Sequence, residues 1–124
     1  MRMFSTRTHA FIDYASGFLF IVSPWLFNFA DGGAAQWTVV IVGVAILLMS
    51  LCTNYEGGVF KAIPMTAHLS MDVVAGIFLA VSPWLFGFAN TVKWPHLIFG
   101  IMEIGAGLMT SRGTATNHST LSNT

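Results

Sequence analysis

The sequence predicts an all-α membrane protein: four transmembrane helices forming two tandem helical hairpins of the same orientation. Three observations predict it. Of 124 residues, 55% are hydrophobic and 8% charged, whereas a soluble domain carries roughly a quarter charged residues, so the chain cannot clothe a water-facing surface. Apolar stretches of spanning length alternate with short polar turns. The stretch Ser23-Pro24-Trp25-Leu26-Phe27-Asn28-Phe29-Ala30 also returns 59 positions later as Ser82-Pro83-Trp84-Leu85-Phe86-Gly87-Phe88-Ala89, changed only at Asn28 against Gly87. Identity extends back through Val22/Val81, Gly17/Gly76, Asp13/Asp72 and His9/His68, so 11 of the 22 positions from His9 to Ala30 agree. The chain is a duplicated unit.

A polar head with Arg2 and Arg7 precedes the first span, residues 10–30, close to the roughly 20 residues that cross a hydrocarbon core. An apolar run after arginines also resembles a signal peptide, but its recurrence at 67–89 excludes that reading. Asp31-Gly32-Gly33 is a turn, and the second span runs over 37–52. Its Val, Ile and Leu would favour a strand in water. In lipid a lone strand leaves its backbone unsatisfied, so a helix is expected. The connection 53–64, with Asn54, Glu56, Gly57, Gly58 and Lys61, leads to a third span over 66–89 that repeats the first. After the turn 90–93, Pro95 suits the first turn of a helix, and the fourth span covers 94–110. Trp37-x5-Gly43 matches Trp94-x5-Gly100 at an offset of 57. The duplication therefore covers both hairpins of one domain, 1–124, with repeat 1 at about 8–54 and repeat 2 at about 66–111. The tail 112–124 is Ser, Thr, Asn and Gly in character, a composition that predicts disorder.

Four spans place Arg2, Arg7, Lys61 and Arg112 on one side and Lys93 alone on the other. The positive-inside rule then puts both termini in the cytoplasm, with the protein in the cytoplasmic (inner) membrane. Trp25, Trp37, Trp84 and Trp94 fall together near the outer interface, as an aromatic belt. Two-span repeats keep their orientation, so a pseudo-two-fold axis along the membrane normal relates them. Five basic residues balance five acidic ones, which leaves no nucleic-acid footprint. Cys52, the single cysteine, excludes an internal disulfide and lacks companions for a zinc–thiolate or iron–sulfur site; it reads as an apolar packing residue.

At 100° per residue, His9, Asp13, Gly17, Phe20 and Pro24 share one stripe of the first span. His68, Asp72, Gly76, Leu79 and Pro83 share the matching stripe of the third, with Ala80 at its edge. A lipid-facing stripe has no use for His and Asp, so both should point inward, with spans one and three facing each other. Gly76-x3-Ala80 has the small-x3-small spacing of close helix approach; Gly17, Gly43 and Gly100 are further packing positions. Each His-x3-Asp pair has two readings. One is a local brace in which the Asp partners the imidazole a turn earlier. The other is a joint mixed N/O metal site or proton-handling cluster of His9, Asp13, His68 and Asp72, with bis-histidine haem as a variant. Glu103 breaks the symmetry, since its counterpart is Ile46. At 1.5 Å per residue it lies about 10 Å inside the cytoplasmic boundary, level with Asp72 at about 9 Å. Ser-Pro-Trp reads as architecture: proline ends or kinks the helix, the serine hydroxyl bonds a freed carbonyl, and the tryptophan anchors at the headgroups. His96 and His118 have no evident partner.

The two Ser-Pro-Trp units (Ser23-Pro24-Trp25 and Ser82-Pro83-Trp84), each late in the first span of a two-span unit, resemble the signature of the SPW-repeat family of small prokaryotic membrane proteins. The resemblance spans both hairpins and implies an integral membrane protein of two such units; it implies no activity. Short loops and the lack of a nucleophile–base pair point away from an enzyme. They point to a structural or accessory subunit with lipid, further copies of itself or other membrane proteins as partners, and with no cofactor. The alternative is a small transport, proton-handling, metal- or haem-binding bundle using His9, Asp13, His68, Asp72 and Glu103.

Overall fold

A computed structural model describes residues 5–53 and 58–110. Arg2, Asn54, Glu56, Gly57, Arg112, His118 and the tail 112–124 lie outside these residues. Those described form four helices and no strands: α1 (Thr6–Leu26), α2 (Ala34–Leu51), α3 (Met65–Leu85) and α4 (Trp94–Met109). By length and composition α2 and α3 are able to cross a membrane; α1 is diluted by Arg7, His9 and Asp13, and α4 has only 16 residues.

The helix boundaries differ from those expected, for local reasons. Helix α1 begins at Thr6 because Ser5 caps it, its hydroxyl accepting from the Thr8 amide at 3.1 Å. Helices α1 and α3 stop at Leu26 and Leu85 instead of running on through Ala30 and Ala89. In each, the chain turns left-handed two residues later, at Asn28 (φ 63°) and Gly87 (φ 76°). The next amide then reaches back five residues, Phe29 N to Pro24 O and Phe88 N to Pro83 O, both at 2.7 Å. That is a Schellman-type closure, which Gly and Asn enter at least cost. The one difference between the two octapeptides thus falls where only these two residue types are favoured. After Asp31-Gly32-Gly33, α2 starts at Ala34, ahead of Trp37, with the Gly33 amide held by Asp31 Oδ1 at 2.9 Å.

Helix α1 packs chiefly on α2 and α3 on α4, while α2–α3 and α1–α4 contacts are lighter, so α1 and α3 stand diagonally across the bundle. The first two contacts are matched glycine crossings. A Cβ on Gly43 would lie 2.8 Å from Gly17 O, and one on Gly100 would lie 2.5 Å from Gly76 O and 2.7 Å from Ala80 Cβ. Backbones approach this closely only where Cβ is missing. Spans one and three do turn their His/Asp groups toward each other, but the glycines of the same stripes do not meet: Gly17 and Gly76 turn toward α2 and α4. The diagonal is bridged by the His/Asp side chains, by Ala10 against Met65 and Leu69, and by the core that Phe20 and Leu79 share. Between that layer and the tryptophan end lies an apolar core of Phe20, Val39, Ile46, Leu79 and Phe99, with Phe20 stacked on Phe99 at 4.6 Å.

Candidate functional site

Each His/Asp pair sits in the first turns of its helix, so α1 and α3 bring His9, Asp13, His68 and Asp72 to one level, all fully buried. The i,i+4 contacts predicted by spacing are present, His9–Asp13 at 3.0 Å and His68–Asp72 at 3.2 Å. The contacts between repeats are shorter: His9 Nε2 meets Asp72 Oδ2 at 2.7 Å, and His68 Nε2 meets Asp13 Oδ2 at 2.8 Å. The imidazoles meet edge to face, their centres 5.4 Å apart. Each Nε2 therefore faces two carboxylates, one from its own repeat and one from the other.

The opposite ring nitrogens are tied just as symmetrically. Thr110 Oγ1 donates to Ala106 O at 2.6 Å, and His9 Nδ1 lies 2.7 Å from Thr110 Oγ1. Thr53 Oγ1 donates to Met49 O at 2.6 Å and meets His68 Nδ1 at 2.6 Å. A hydroxyl has a single hydrogen. With that hydrogen given to the carbonyl, the imidazole N–H must donate to the hydroxyl, so Nδ1 carries hydrogen and Nε2 points at the acids. These bonds also cross between repeats. Thr53 and Thr110 escaped the sequence reading, yet they match at the offset of 57 that relates Gly43 to Gly100. A threonine retained at both equivalent positions was the available signal.

Glu103 is buried beside the layer, within electrostatic reach of both aspartates and both histidines, and its Oε2 has no hydrogen-bond partner among the described residues. Its counterpart Ile46 belongs to the apolar core. One repeat thus places a carboxyl where the other places a hydrocarbon. Asp72 Oδ1 is likewise buried and has no hydrogen-bond partner among the described residues.

The Ser-Pro-Trp units lie at the other end. Pro24 removes the amide that would have bonded Phe20 O, and Ser23 Oγ donates to that carbonyl instead, at 2.8 Å; Ser82 Oγ treats Leu79 O identically at 2.7 Å. Trp25, Trp37, Trp84 and Trp94 are all exposed at this end. His96 does have a partner, contrary to expectation: its Nε2 donates to Ala35 O at 2.8 Å, and its ring lies between Phe29 and Phe88.

The family model for the SPW repeat domain matches residues 7–110. No curated protein and no solved structure matches the chain.

Proposed function

The chain belongs to the SPW repeat family, and from that premise we propose that it is a four-span integral membrane protein with a structural or accessory role in a membrane assembly. In this reading its two hairpins share one orientation about an axis along the membrane normal, and both termini face the cytoplasm across the inner membrane. The observation that carries it is inverted polarity. Phe11 on α1, Ile41 on α2, Val74 on α3 and Ile101 on α4 are 75%, 62%, 66% and 58% exposed, while His9, Asp13, His68, Asp72, His96 and Glu103 are buried. Water would penalise that exterior; lipid would not. Helix α4 is about 24 Å long at 1.5 Å per residue, short of a 30 Å core, and Trp94 at its start suits an interfacial anchor.

In this reading the role is non-enzymatic, and the ionisable groups of the layer brace one repeat against the other. The apolar exterior suits lipid or neighbouring helices. Chemical cross-linking in native membranes, followed by purification into nanodiscs, tests the role. A defined homo- or hetero-assembly is expected; a chain that is monomeric and without partners in a native-like bilayer would overturn it.

A further inference from the structure

We propose that the His9–Asp13–His68–Asp72 layer is a closed binding site for one divalent transition-metal ion of the zinc class. The inference goes beyond the membrane-subunit reading, which needs no metal.

Four observations converge. The four residues each offer one donor atom, and these atoms all lie within 4.8 Å of one another. Two imidazole nitrogens with two carboxylate oxygens suit a borderline cation such as Zn2+, and four protein donors with no open position describe a structural site. Both Nδ1–H groups are committed to threonine hydroxyls, which aims both Nε2 atoms at the acids. That is the outer-shell arrangement by which ligating histidines are oriented. Finally, Asp72 Oδ1 and Glu103 Oε2 are buried and have no hydrogen-bond partner among the described residues, so polar oxygen at this level exceeds what the hydrogen bonds satisfy.

With Nδ1 committed, each Nε2 holds either a proton shared with the carboxylates or a lone pair offered to a cation. Exchange balances in charge: one M2+ enters and two protons leave, with the two aspartates neutralising the ion in place of two imidazolium groups. The geometry requires the four side chains to adjust. Metal–ligand bonds of 2.0–2.1 Å place tetrahedral donors about 3.3 Å apart, against His–Asp contacts of 2.7 to 3.2 Å here. The neighbouring His–Asp pairs must open by a few tenths of an ångström, and the widest donor separation, which lies within 4.8 Å, must close toward the same value. Glu103 lies outside the four.

The test uses the full chain, untagged and carrying His118→Ala to remove the tail imidazole, purified in detergent, stripped with chelator and titrated with Zn2+ or Co2+. One equivalent per chain is expected, with the visible absorption of four-coordinate Co2+ and a raised unfolding temperature. Asp72→Asn should abolish binding, with folding checked by helical circular dichroism. Thr53→Val keeps all four donors and should weaken binding roughly 10- to 100-fold by freeing His68 Nδ1. A folded parent that retains no metal and shows no Co2+ band would overturn the proposal, as would binding that either substitution leaves unchanged.

Discussion

Gly100 and Gly105 lie five residues apart on α4 and carry opposite expectations. A Cβ on Gly100 would lie 2.5 Å from the Gly76 carbonyl oxygen, whereas one on Gly105 meets nothing within 4 Å. Gly100→Ala should therefore destabilise by about 1–3 kcal/mol through overpacking, while Gly105→Ala should be neutral or stabilising by up to about 1 kcal/mol. Thermal unfolding in detergent distinguishes them; equal effects would refute the glycine crossing. Residue 87 offers a second contrast. Gly87→Asn reproduces the other repeat and should be tolerated, whereas Gly87→Val forces a β-branched residue into left-handed backbone at a cost of at least about 1–2 kcal/mol.

Among elements, the cross-bracing of α1 and α3 matters more than either helix's own His/Asp pair. Asp13 meets both imidazoles, at 3.0 and 2.8 Å. Asp13→Asn removes half of a buried charge pair on each side, and breaking such a pair costs about 3–5 kcal/mol. The helices should survive while the two halves lose their mutual register. Retained helical circular dichroism with a much lower unfolding midpoint is the expected signature, and an unchanged midpoint would show that the layer holds nothing together. Buried ion pairs are a poor source of net stability but a good source of register. Two similar repeats need such a device, because their apolar faces alone leave more than one docking acceptable.

For the whole molecule, the direction of insertion is the quantity to measure. In a Cys52→Ser background, Thr91→Cys should react with a membrane-impermeant maleimide from outside, whereas Phe60→Cys should react only after permeabilisation. Both sites are exposed, one in the turn before α4 and one in the connection before α3. The reverse pattern would overturn the positive-inside assignment. The Trp25, Trp37, Trp84 and Trp94 end should then lie on the Thr91 side, because α1 and α3 finish where α2 and α4 begin.

By itself the sequence determined the duplication, the four helices, and the His-x3-Asp and Ser-Pro-Trp units, since each is written in local periodicity and in spacing along the chain. Residues one turn apart on a helix must be neighbours wherever the helix lies, so His9 with Asp13 and Ser23 with Pro24 were legible before any fold was known. Only the tertiary structure decided that His9 prefers Asp72 to its own Asp13, that Thr110 and Thr53 hold the far sides of the imidazoles, and that Gly17 backs onto Gly43 instead of α3. Those choices depend on how four helices close around one another. That closure is set jointly by backbone approach at the glycines and by the need to satisfy every buried polar group, and no window of sequence contains both partners of such a contact.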